Sequence, residues 1–113
     1  MKLPNVLSAV IEREKIVDYL LNPTHPDNGG KAAFFLSLGF NQDDWHNLAM
    51  ALGKLAKKAE ITKSVETIHG CKYVLEGPIE TPGGKSPKVR TVWIVDRGRD
   101  NTLRLVSAYP CQE

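Results

Sequence analysis

Several polar residues in this 113-residue chain have the types and spacing to act on an anion. His25 sits in the turn-rich run Asn22-Pro23-Thr24-His25-Pro26-Asp27-Asn28-Gly29-Gly30. Histidine is the side chain most suited to giving or taking a proton near neutral pH. Gly30 and Lys31 follow at the expected start of a helix. Glycine lets the backbone approach a ligand closely, and a helix N-terminus offers unpaired N–H groups and partial positive charge. With the Lys31 ammonium added, the stretch can hold a phosphate. Arg90 interrupts the apolar neighbours Val89 and Val92, so it either snorkels at an edge or faces a polar site. Ser107 and Tyr109 put two hydroxyls near the end of the last strand. The structural alternatives are ordinary: an exposed loop histidine, a solvated lysine and hydroxyls in water at a strand end. His46 and His69 read as structural or solvated.

The glycine-containing runs are not nucleotide-triphosphate loops. Gly29-Gly30-Lys31 is followed by Ala32 where a magnesium-holding Ser or Thr would stand, and Gly84-Lys85-Ser86 has Ile79 where the first Gly should be and Pro87 after it. Cys71 and Cys111 lack a CxxC spacing, and the three histidines complete no zinc pattern. The expectation is two free thiols in a reducing compartment, with no cofactor and no metal.

The elements that must position these residues are legible from periodicity. Ile16, Val17, Leu20 and Leu21 form one stripe, predicting a helix from about Glu12 to Leu21 that Pro23 stops. Residues 22–30 are a loop. Phe34, Phe35 and Leu38 predict a second helix over 31–38, ended by Gly39. Asn41 is an expected N-cap for a third helix running to Ala59, with Trp45, Leu48, Ala49, Leu52, Leu55 and Ala56 at helical spacing. The β-rich runs 65–68 and 71–76 predict a tight hairpin at His69-Gly70, and residues 80–88 a loop. Runs 89–96 and 102–110 predict a second hairpin.

The fold class expected is therefore α+β: three N-terminal helices followed by a four-stranded antiparallel β-meander, in one domain spanning 1–113. On the last strand, alternation places Leu103, Leu105, Ser107 and Tyr109 on one face. The register of the last hairpin stays open. If Asp96 pairs with Thr102, Thr91 lies opposite Ser107 with Arg90 on the other face; a one-residue shift puts Arg90 beside Ser107 or Tyr109.

Composition narrows the class only a little. Hydrophobic content is 42%, charged content 25% and net charge +2, so the chain reads as a soluble globular protein. That charge balance neither demands nor excludes a nucleic-acid partner. No apolar run approaches the ~20 residues of a membrane helix, and the start lacks a signal-peptide core. The expectation is a cytoplasmic protein, or the delivered end of something larger, with no membrane association.

Asp18-Tyr19-Leu20-Leu21-Asn22-Pro23, His25-Pro26, Lys31 followed by Phe34-Phe35 and Leu38-Gly39-Phe40, Arg90-Thr91-Val92-Trp93 and Ser107-Ala108-Tyr109-Pro110 are similar to a small bacterial domain family. Its members occur alone or at the C-terminal ends of larger toxin-like proteins. That family in turn resembles the superfamily of metal-independent ribonucleases that includes barnase, EndoU, colicin tRNases and RelE-type toxins. The resemblance implies an endoribonuclease toxin that cleaves tRNA or another structured RNA by 2′-hydroxyl attack, with a small antitoxin or immunity protein as partner. Together with the residue reading, it marks His25, Lys31, Arg90, Ser107 and Tyr109 as the expected catalytic residues; Gly30, at the helix start, and Thr91, a neighbour of Ser107 in one register, are the expected substrate contacts. The chain departs from colicin-type tRNases in lacking a dense lysine cluster around His25 and in carrying Tyr, not Trp, after Ser107. The alternative class is a non-catalytic interaction or RNA-binding module with the same fold.

Overall fold

The computed structural model describes residues 10–25, 30–96 and 103–111. A π-helix spans Lys15–Leu20, followed by α1 (Lys31–Ser37), α2 (Trp45–Lys58), β1 (Ile61–Thr67), β2 (Gly70–Pro78), β3 (Lys88–Asp96) and β4 (Leu103–Pro110). The strands form one antiparallel sheet in the order β1-β2-β3-β4.

The expected order of three N-terminal helices ahead of the sheet needs correction. The helical segments lie mid-chain, between Lys15 and Lys58, and the first is a π-helix. Val10, the first described residue, belongs to the sheet: it bridges Arg104 in parallel, donating from its N–H to Leu103 O at 2.7 Å and accepting from Leu105 N–H at 3.1 Å. Backbone hydrogen bonds thus hold Val10 against the outer edge of β4, ahead of the helical segments in sequence.

The apolar stripe of α2 is buried through Leu48, Ala51, Leu52, Leu55 and Ala56. It approaches β2 so closely at Gly77 that a Cβ there would lie 2.6 Å from Leu55 Cδ1. Phe35, Leu75, Val89, Trp93, Leu103, Leu105 and Ala108 complete one core with Ile16 and Leu20. α1 ends where Gly39 takes φ +99°, a left-handed conformation that favours glycine. Asn41 does not begin α2: its side chain accepts the Asp44 N–H at 2.8 Å in a turn that precedes Trp45.

β4 breaks its own alternation. Trp93 pairs with Leu105 but Val92 pairs with Ser107, so a bulge at Val106 shifts the register by one. Leu103, Leu105 and Ala108 are buried, whereas Ser107 and Tyr109 are half-buried and fall on the opposite face from Ala108. The single face expected to carry both leucines and both hydroxyls is thus split by one inserted residue.

Candidate functional site

The π-helix brings the site together. Leu21 N–H bonds to Ile16 O at 2.8 Å, a five-residue step, and Asn22 N–H bonds to Tyr19 O. The carbonyls of Val17 and Asp18 are passed over by this pattern, and side-chain amides fill them: Gln42 Nε2 donates to Val17 O at 2.9 Å and Asn22 Nδ2 to Asp18 O at 3.2 Å. Asn22 also accepts from Thr24 through its Oδ1. It therefore closes the helix and begins the loop that carries His25. Single π turns of this kind recur at functional sites. Here Ile16 and Leu20 stay in the core while Tyr19 is left half-buried.

Tyr19 is the centre of the arrangement. Lys31, from the first turn of α1, donates from Nζ to the Tyr19 hydroxyl at 2.5 Å. His25 meets the Tyr19 ring edge-on, with centroids 4.9 Å apart. Lys15, one turn earlier on the same π-helix, lies 5.0 Å from the ring centroid. From β4, Ser107 approaches the hydroxyl. Its Oγ is buried and makes no hydrogen bond of good geometry among the described residues, yet it is near enough to act on the phenol. Burial pushes the Tyr19 phenol up; the Lys31 hydrogen bond and the nearby Ser107 hydroxyl, then the charges of Lys31 and Lys15, outweigh it and hold the phenol below its ordinary value of 10.0.

These groups line an open cleft of about 800 Å³ between the π-helix, α1 and β4. Its walls include His25, Lys31, Ser107 and Tyr109, together with Lys15 and Arg104. Glu12, Glu14 and Asp18 supply carboxylates on the same walls, and Glu12 pairs with Arg104 at 3.7 Å.

Arg90 joins through Tyr109. The two residues are directly paired across β3 and β4, and Glu76 pairs with Arg90 on the other side, so the three form one row across the sheet. Arg90 Nε donates to Glu76 Oε2 at 2.6 Å, and its guanidinium carbon lies 5.8 Å from the Tyr109 ring centroid. Hydrogen bonds to Glu76 and Tyr109 hold the guanidinium pKa above its ordinary value. Lys31 Nζ is also 5.8 Å from the Tyr109 ring centroid, so Tyr109 stands between the two cations.

Two further residues lie elsewhere. Thr91 is buried opposite Ala108 and accepts the Trp93 indole N–H at 2.9 Å. Gly30 is exposed at φ +88° ahead of α1, and Gly29 lies outside the described residues. His46 is exposed and stacks on Trp45, and His69 is exposed in the β1–β2 turn. Cys71 and Cys111 are free. Among the described residues, no group of three or more His, Cys, Asp or Glu side chains is placed to hold a metal ion, and no helix is long and apolar enough to cross a membrane.

Residues 2–112 match the family DUF6883, a domain of unknown function. The chain belongs to that family. No curated protein matches it. Among solved structures, this DUF6883 domain is similar to a chain of a contact-dependent growth inhibition toxin–immunity protein complex from Klebsiella pneumoniae 342. The TM-score is 0.71 at 18% identity, over 96% of this chain and 97% of that one. At that identity the likeness establishes a shared fold.

The residue that sequence reasoning passed over in this DUF6883 chain is Tyr19. It lies inside the Asp18-to-Pro23 run that carries the family resemblance. The signal available was its spacing: a tyrosine four residues after Lys15, beside a stripe already filled by Ile16 and Leu20.

Proposed function

We propose that this domain is an endoribonuclease toxin acting on tRNA or another structured RNA through the ribose 2′-hydroxyl. The observation that carries the reading is the convergence of His25, Lys31, Ser107 and Tyr109 on one open cleft, with Arg90 held against Tyr109. Lys31 and Arg90 supply positive charge for a phosphate, and charge developing on phosphorus is what such cations stabilise. His25 is the acid–base group. Tyr109 offers a ring on which a base can stack, and Ser107 a hydroxyl to orient the phosphate. Gly30 stands as a lower-ranked substrate contact, whereas Thr91, buried in the core against Trp93, serves the fold. The fold shared with a chain of a toxin–immunity protein complex supports the toxin reading, and with it a small immunity protein as partner. The basic residues between Lys85 and Arg104 favour an acidic one.

A second reading has its own observation. Glu12, Glu14 and Asp18 line the cleft, and Arg90 is engaged by Glu76, which opposes a polyanion and suits a non-catalytic module. Incubating the purified domain with total RNA in EDTA separates the two. The enzyme reading expects fragments ending in 2′,3′-cyclic phosphate. Intact RNA across a range of substrates counts against it, and a mobility shift without cutting supports the binding module.

A further inference from the structure

We infer that Tyr19 is a catalytic residue of this site, its phenolate oxygen taking the proton from the attacking ribose 2′-hydroxyl while His25 serves as the acid. The inference rests on the ribonuclease reading above.

The geometry puts the Tyr19 oxygen where a base is needed. The π-helix carries it, α1 reaches it through Lys31, and Ser107 of β4 lines the same cleft. Lys31 Nζ is a donor without acceptor capacity, so the 2.5 Å contact uses a lone pair of the Tyr19 oxygen and stabilises negative charge on it. Ser107 Oγ, buried and without a partner of good geometry among the described residues, has a proton to offer to the same oxygen. Lys15 and Arg104 add positive charge, while Glu12, Glu14 and Asp18 oppose it from the cleft walls. The two cations nearest the phenol prevail, and the downward shift of the Tyr19 pKa follows. His25 meets the Tyr19 ring at nearly a right angle, with centroids 4.9 Å apart, and lines the same cleft. The two groups therefore present separate proton-transfer atoms to the cleft, as two-group catalysis requires.

The step balances without any outside oxidant or reductant. The 2′-oxygen forms a bond to phosphorus as its proton passes to the Tyr19 phenolate. The bond from phosphorus to the 5′-oxygen breaks, and that oxygen takes a proton from the His25 imidazolium. The products are a 2′,3′-cyclic phosphate and a 5′-hydroxyl. Exchange with water then removes the proton from Tyr19 and returns one to His25.

The test measures cleavage of total bacterial tRNA by the wild-type domain, Tyr19→Phe and Tyr19→3-fluorotyrosine across pH. Tyr19→Phe keeps the ring against His25 and removes the hydroxyl, so the rate should fall at least ~100-fold. Fluorination makes the phenol more acidic while keeping its shape. The limb along which the wild-type rate rises with pH should therefore move to lower pH in the 3-fluorotyrosine protein. Full activity in Tyr19→Phe overturns the assignment and leaves the ribonuclease reading standing. A slow Tyr19→Phe combined with an unmoved limb in the fluorinated protein also overturns it, leaving Tyr19 as a positioning residue. A wild-type domain that cuts no RNA overturns the ribonuclease reading itself, and the acid–base role with it.

Discussion

Lys31 and Tyr19, twelve residues apart, meet through a 2.5 Å contact from ammonium to phenol oxygen, and this contact joins α1 to the π-helix in the lining of the cleft. It is the largest of the influences that lower the Tyr19 pKa, and Ser107 is the next. Lys31→Met should therefore let the Tyr19 phenol rise toward 10.0, read as the phenolate absorbance difference between this variant and the same variant carrying Tyr19→Phe. An unchanged titration would mean that the contact does not stabilise the phenolate.

The same shift sets a pH dependence of stability. Because the folded pKa of Tyr19 lies below its unfolded value, the unfolded chain binds more protons between the two values, and stability from this group rises with pH there. The contribution is fully present above the unfolded pKa of 10.0 and is lost as pH falls through the folded one. Urea unfolding of wild type and Tyr19→Phe should thus show a larger stability gap at about pH 9.5 than at about pH 7. A gap that shrinks with rising pH would contradict the direction.

His25→Ala should lower the rate of RNA cleavage by at least ~100-fold if the imidazole transfers a proton. His46→Ala and His69→Ala are controls, because His46 stacks on Trp45 outside the cleft and His69 lies in an exposed turn. Both should cut RNA at the wild-type rate. If His25→Ala remains active while Lys31→Ala or Arg90→Ala does not, the site works by charge alone.

Thr91 separates structural from functional roles on β3. Its hydroxyl accepts the Trp93 indole N–H at 2.9 Å inside the core. Thr91→Val keeps the shape but strands that buried donor, so it should cost about 1–3 kcal/mol of stability. The RNA cleavage rate per folded molecule should not change. A loss of rate with stability intact would place Thr91 in substrate binding after all.

Much of this arrangement was legible because local pattern and tertiary packing agree. The α2 stripe from Leu48 to Ala56 reads as a buried helix face and is one. Gly39 reads as a helix stop and takes a left-handed φ. The four strands fall near the β-rich runs, with His69-Gly70 at the first hairpin. What periodicity could not show were the two one-residue insertions that build the site. The π turn between Ile16 and Leu21 depends on amide donors from Asn22 and Gln42, one of them twenty-five residues away. The bulge at Val106 moves Ser107 and Tyr109 off the face of Leu103 and Leu105, and it sets Arg90 beside Tyr109. The Gln42 contact lies far along the chain, where no local spacing encodes it, and each insertion re-aims a functional side chain.

Ser107→Ala tests the β4 side of the cleft. A buried hydroxyl without a good partner carries a desolvation cost, and deleting it removes that cost along with a small packing contribution. The net change in stability should stay below about 1 kcal/mol. The effect should appear instead on Tyr19, because Ser107 is one of the groups that hold its phenol down. The Tyr19 titration should move upward, though by less than in Lys31→Met, since Lys31 acts through both a hydrogen bond and a charge. The RNA cleavage rate should fall by less than in His25→Ala, with the melting temperature nearly unchanged. A Ser107→Ala protein that melts well below the wild type would show that this hydroxyl holds the fold, and that its place beside Tyr19 is packing without a chemical role.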